Sequence, residues 1–130
     1  MTRVPVISIV DDDKPGRVAL SSLMRSLGYE SHLFSCAEDF LASTERNVTD
    51  CLITDVQMPG MSGLDLQLEM GVRSPLIPII FITAHPDESV RHRAEAGGAV
   101  CFLSKPFDGQ VLIDGIERIL KSTHAHPIRV

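Results

Sequence analysis

The chain has 130 residues, 44% of them hydrophobic and 22% charged, which is enough apolar material for one core and too little chain for two ordinary domains. Its net charge of -5 at pH 7 excludes a nucleic-acid-binding surface from the expectations, because such a surface needs clustered Lys and Arg. Three cysteines, Cys36, Cys51 and Cys101, form no CxxC pair, and two lie in apolar runs. Buried free thiols are therefore expected instead of a disulfide framework, in keeping with a reducing cytoplasm. The apolar run ahead of the first aspartates is too short for a signal peptide or a membrane span, and a soluble, cytoplasmic protein is expected.

The first segment, Val4 to Val10, is a short continuous run of apolar and β-branched residues and reads as a buried strand. Leu20, Leu23, Met24 and Leu27 then recur at i, i+3, i+4 and i+7, with Gly28 as a stop, which predicts a helix. "YESHLF" is a weaker second strand. Ser35-Cys36-Ala37-Glu38 has the spacing of a capping box and opens a short helix expected to bury Phe40 and Leu41. "CLIT" is a third strand, ending on Asp55 and followed by a loop of Pro59, Gly60, Ser62 and Gly63; a helix from Ser62 or Gly63 is expected to carry Leu64 and Leu68 inward.

Ile77 to Thr83 is a fourth strand, and Pro86, Asp87 and Glu88 suit the first turn of a helix that runs to Gly97-Gly98. "AVCFL" is a fifth strand, and Asp108 caps a last helix with Leu112, Ile116, Ile119 and Leu120 on one face. Five strands, each followed by a helix, imply an α/β fold: a five-stranded parallel sheet covered on both faces through right-handed crossovers. One domain is expected over residues 1–121, followed by a tail over 122–130, "STHAHPIRV", which has no period. Its His124 and His126 do not complete a closed zinc site.

The polar residues gain meaning from where this pattern puts them. Asp11, Asp12 and Asp13 follow strand one, Asp55 ends strand three, Thr83 ends strand four and Lys105 follows strand five. All are at the carboxyl ends of parallel strands, which converge on one crevice in an open α/β sheet. Crowded carboxylates repel unless a hard cation holds them, and an all-oxygen set suits Mg²⁺ better than zinc. Asp12 and Asp55 are the expected direct ligands. Mg²⁺ and Lys105 would neutralise a phosphoryl group carried on Asp55, so the residues suggest an aspartyl-phosphate site. Taken singly, each feature has an ordinary explanation: Asp13 as a helix cap, Met58-Pro59-Gly60 as a turn, Lys105 as a surface lysine, Thr83 as a β-branched strand residue. Their joint placement at one sheet edge favours chemistry.

Four stretches in this order, "IVDDD", "ITDVQMPGMSGLDL", "FITAH" and "FLSKPF", resemble the response-regulator receiver domain of two-component signal transduction, over roughly Val4 to Lys121. The resemblance implies a flavodoxin-like (βα)5 fold and a phosphoprotein of a phosphorelay. In it, Asp55 accepts a phosphoryl group from a histidine kinase or phosphotransfer protein in a Mg²⁺-dependent reaction, and a conformational switch then controls an output domain or downstream protein. It implies that Asp12 binds Mg²⁺ directly, Asp11 mainly through water and Gln57 through its backbone carbonyl. Thr83 and Lys105 would contact the phosphoryl oxygens, and Phe102 would be the aromatic switch that turns inward when Thr83 moves. It also implies a cis Lys105-Pro106 bond, a role for Gln57 and His85 in tuning phosphate lifetime, and a homodimer linked to phosphorylation.

Two departures stand out against this pattern. Cys101 occupies a position often acidic in the family's dimer surface, which argues against a dimer built from that ion-pair pattern. Phe102 replaces a frequent tyrosine and brings no hydroxyl, so the switch would report by burial alone. A phosphatase of the haloacid-dehalogenase type also uses an aspartate nucleophile with Mg²⁺, but needs a second acid two residues later, where this chain has Gln57. An inert pseudo-receiver that only binds partners is opposed by the complete set of Asp11, Asp12, Asp55, Thr83 and Lys105. The chain is thus expected to catalyse only its own phosphorylation and dephosphorylation.

Overall fold

The computed structural model describes residues 3–124. Strand β1 (Val6–Val10) is buried along its whole length, as a Val/Ile run covered on both faces must be. Helix α1 (Lys14–Ser26) is capped by Asp13, whose carboxylate accepts from the Gly16 N–H at 3.1 Å, with Pro15 in its first turn. Gly28 follows with φ +85°, the left-handed turn that stops the chain from continuing as a helix. Strand β2 (Glu30–Phe34) is half-exposed.

Helix α2 (Ala37–Ala42) buries Phe40 and Leu41 as expected, but the expected capping box does not form, because Cys36 occupies the cap position with no side-chain bond. A short 3-10 segment, Thr44–Val48, precedes strand β3 (Cys51–Asp55). The capping box belongs instead to α3 (Gly63–Arg73), where Ser62 accepts from the Asp65 N–H and Asp65 accepts from the Ser62 N–H. Leu64 is buried in α3, but Leu68 is 66% exposed, which corrects the inward placement expected for it. The buried arc of α3 is Gly63, Leu64, Leu66, Gln67 and Met70. Leu64 lies on its rim, and a drift of about 40° over four residues carries Leu68 out of it.

Strand β4 (Ile79–Thr83), helix α4 (Glu88–Ala96), strand β5 (Cys101–Ser104) and helix α5 (Gly109–His124) complete the described chain. Asp87 caps α4 by accepting from the Ser89 and Val90 N–H groups. β4 starts at Ile79, not Ile77, and α5 runs through Ser122 to His124, past the boundary expected at Lys121; His126 and the remainder of the tail lie outside the described residues.

All neighbouring strands pair in parallel, in the order β2-β1-β3-β4-β5. The order reverses at β1, so a crevice opens at the carboxyl ends of β1 and β3. One half of the core packs Phe40, Leu66, Met70 and Ala94 from α2, α3 and α4 against Leu52 and Phe81. The other half packs Leu20, Met24, Leu112 and Ile116 from α1 and α5 against Ile7, Ile53 and Ile80. Both faces of the sheet are thus covered, as the alternation of elements predicts. All three cysteines are free, although only Cys51 is fully buried, and burial pushes its thiol pKa far up. Among the described residues no helix is long and apolar enough to cross a membrane.

Gly63 marks a close approach between the start of α3 and the end of β3. A Cβ there would stand 2.2 Å from the Asp55 carbonyl oxygen, whereas one at Gly71 would meet nothing within 4 Å. Gly63→Ala is therefore expected to destabilise the protein by about 2 kcal/mol or more, and Gly71→Ala to stabilise it by about 0.5 kcal/mol through helix propensity. Urea unfolding of the two variants checks this, and equal effects would contradict the close approach at Gly63.

Candidate functional site

Parallel strands end together, and here their ends carry charge. Asp11 lies just beyond β1 and is 2% exposed. One of its carboxylate oxygens accepts from the Asp13 N–H at 2.9 Å, and the other lies 3.3 Å from Lys105 Nζ. Asp55, the last residue of β3, accepts from the Gln57 N–H at 3.2 Å, and its second oxygen is 3.7 Å from the same Lys105 Nζ. Asp12 is exposed, and Asp11, Asp12 and Asp55 each offer a carboxylate oxygen within 4.8 Å of the others. Lys105 arrives from the turn after β5, where the Lys105-Pro106 bond is cis, as the resemblance implies. Its N–H donates to the Thr83 carbonyl at 2.7 Å, which ties this turn to the end of β4.

The electrostatics follow from partial burial. Burial pushes the Asp55 pKa up, and the neighbouring Asp11 carboxylate adds to the rise; the Gln57 N–H and the Lys105 ammonium oppose it without cancelling it. For Lys105, burial disfavours the charge, but Asp11 and Asp55 more than offset that, and its pKa is raised. Three carboxylates thus face one ammonium, and the excess is negative.

The other expected residues fall around this cluster. Thr83 is 1% exposed, and its hydroxyl accepts from the His85 N–H at 3.0 Å. The side chains of His85 and Gln57 are exposed, and both residues use their backbone N–H groups here. Phe102 is buried beside Phe81, with ring centroids 6.3 Å apart, and the Arg91 guanidinium lies 5.2 Å from its ring centre. Sequence reasoning missed Arg91, and it also missed Arg17, which donates from α1 to the Asp11 carbonyl at 2.7 Å. Neither has a sequence signal, since both are charged residues on amphipathic helices and only the packing shows what they reach.

The model of the response regulator receiver domain matches residues 7–117. The chain belongs to the receiver domain family of response regulators. The receiver is 48% identical over 111 residues to Nodulation protein W of Bradyrhizobium diazoefficiens, covering 85% of this chain and 49% of that protein. It is 45% identical over 119 residues to the response regulator protein TodT of Pseudomonas putida, covering 92% and 52%. The receiver therefore spans about half the length of these curated relatives. Among solved structures, the response regulator StyR superimposes with a TM-score of 0.86 at 43% identity, covering 95% of this chain and 63% of that one. FixJ-N superimposes with a TM-score of 0.83 at 35% identity, covering 99% and 100%. A receiver is a regulatory domain of two-component signalling, not a conventional enzyme, and response regulators act with kinases and output domains.

The raised pKa of Asp55 has a consequence for stability. A carboxyl whose folded pKa lies above its unfolded one stabilises the fold below the unfolded pKa, and that contribution is lost as pH rises through the folded pKa. At pH 7, in chelator, ionised Asp55 is thus a burden, and Asp55→Asn is expected to unfold at higher urea than wild type. The gap should close as acidification protonates Asp55. A variant less stable than wild type at pH 7 would show that the pairing with Lys105 outweighs burial.

Proposed function

We propose that the domain takes a phosphoryl group onto Asp55 from a histidine kinase or phosphotransfer protein, in a Mg²⁺-dependent reaction, and switches conformation to control an output in the cytoplasm. The observation that carries the reading is the convergence of Asp11, Asp12 and Asp55 from two strand ends on Lys105 from a third. An all-oxygen donor set with a negative excess fits Mg²⁺. Asp12 and Asp55 would hold the ion through their carboxylates, Gln57 through its carbonyl and Asp11 through water. The ion, when bound, supplies charge neutralisation at the phosphoryl oxygens.

The chain's own residues do the rest. An oxygen of the Asp55 carboxylate attacks phosphorus, the bond from phosphorus to the donor's imidazole nitrogen breaks, and the leaving imidazole takes a proton from solvent. The Lys105 ammonium offsets charge on the phosphoryl oxygens, and the Thr83 hydroxyl turns toward them, giving up its bond from the His85 N–H. Phe102 already lies beneath Arg91, so movement of Thr83 repacks an aromatic held in place and draws none in from solvent. With no hydroxyl, Phe102 reports that change through packing alone. The exposed side chains of Gln57 and His85 border the approach of water to the phosphorus and tune the lifetime of the phosphate.

Two experiments test this reading. Incubation with phosphoramidate and Mg²⁺ is expected to add one phosphoryl group by intact mass, and Asp55→Asn, which keeps the shape of the site, to abolish it. An acyl phosphate mapped to another aspartate would overturn the assignment. In a Mg²⁺ titration, Asp12→Ala is expected to weaken binding at least about tenfold by deleting a direct ligand. Asp13→Ala should cost about 1 kcal/mol of stability as a lost helix cap, with little change in Mg²⁺ affinity. Equal losses of affinity would mean that the aspartate triplet is misassigned.

A further inference from the structure

The loop between β3 and α3 carries both Gln57, whose N–H holds Asp55, and the backbone carbonyl assigned above to the metal. Loops of this kind keep their shape only if their polar groups are tied to something rigid. Among the described residues, hydrogen bonds tie this loop to its own strand and helix through Gln57 and Ser62, and Gly63 donates to the Val56 carbonyl at 2.8 Å. Met58 is buried in the core and Met61 packs against it, and a hydrogen bond reaches the loop from elsewhere in the fold. Glu38, in the first turn of α2, accepts from the Met61 N–H at 3.0 Å through Oε2.

A second, independent observation concerns Gly60. It has φ +77°, and a Cβ built on it would lie 2.8 Å from the same Glu38 Oε2. The carboxylate therefore fills the space that a side chain at position 60 would occupy, and the glycine serves both the left-handed turn and the approach of Glu38. The Glu38 carboxyl is held below the usual carboxylate range first by its own N–H and then by that of Met61, so it is ionised at neutral pH. An ionised acceptor on a backbone N–H makes a stronger bond than a neutral one.

We propose that Glu38 is a positioning residue for phosphoryl transfer: from α2 it clamps Gly60 and Met61, and through them sets the backbone of Gln57 at the phosphoacceptor. This rests on Asp55 being the acceptor. Glu38 touches no reacting atom and acts only through the loop, so its loss registers at the site and not in global stability, since the side chain is exposed.

The test compares Glu38→Ala, Glu38→Gln and a control, Asp39→Ala, which removes the neighbouring first-turn acid of α2 without touching the loop. Expected for Glu38→Ala are faster hydrogen exchange at the Met61 amide, and roughly threefold losses in both Mg²⁺ affinity and the rate of phosphorylation by phosphoramidate at saturating Mg²⁺. Glu38→Gln, which keeps an acceptor oxygen, should recover most of the loss, and Asp39→Ala should match wild type. The melting temperatures should agree across the set. Wild-type Mg²⁺ affinity and rate in Glu38→Ala, with Met61 exchange accelerated, would overturn the clamp while leaving Asp55 as acceptor. Equal losses in Asp39→Ala would overturn it too, by assigning the effect to helix charge. If wild type itself gains no phosphoryl group on Asp55, the function proposed above fails, and the clamp falls with it.

Discussion

Everything in this molecule depends on one ammonium group set between two carboxylates that water reaches poorly. Lys105 stands 3.3 Å from Asp11 and 3.7 Å from Asp55. A carboxylate removed from water costs several kcal/mol unless it is paired or hydrogen-bonded, and Asp11 at 2% exposed is close to that limit. Lys105 meets the need only in part, because Asp12 adds a third carboxylate to the same edge. The residual negative charge is a cost to the fold, and in the proposed function it is what would draw a cation and, with it, a phosphoryl group. On that proposal, the same excess charge weighs on stability and serves the chemistry.

The fold exists in the form that delivers these groups to one place. A parallel sheet puts all carboxyl ends on one edge, and the reversal of strand order at β1 leaves the space beside Asp11 and Asp55 uncovered by any crossover. Apolar packing on two faces holds the strands in register: α1 and α5 on one side, α2, α3 and α4 on the other. Gly63 permits α3 to start against the Asp55 carbonyl, which places the helix directly beside the end of β3. Thr83 then joins the cluster to the rest of the sheet edge by accepting from both the Lys105 and His85 N–H groups.

Much of this was legible in the sequence, because strand interiors and strand ends differ so sharply in chemistry. The runs Val6–Val10 and Ile79–Thr83 are buried throughout and apolar but for Ser8 and Thr83, and the charged residues that follow the first had to lie at an edge. What escaped was decided by contacts between elements. Ser35 to Glu38 has the spacing of a capping box, yet Glu38 turns away to the β3–α3 loop, and the box forms at Ser62 and Asp65 instead. Local spacing alone does not say which of two acceptors a side chain will find. Leu68 was expected inward from its spacing with Leu64, but the arc that α3 buries is centred on Leu66, Gln67 and Met70, a choice made by where the helix docks. The stacking of Arg91 over Phe102 joins α4 to β5, and a charged helix position carries no mark of the ring beneath it.

The central claim is that unbalanced carboxylate charge at the sheet edge is both what the fold tolerates and what the function uses. Thermal unfolding of the wild-type domain with Mg²⁺ and in chelator tests it most directly. At a Mg²⁺ concentration about tenfold above the dissociation constant, linkage predicts about 1.4 kcal/mol of added stability, which for a domain of this size raises the melting temperature by several degrees. A melting temperature that does not respond to Mg²⁺ at any concentration would contradict the account.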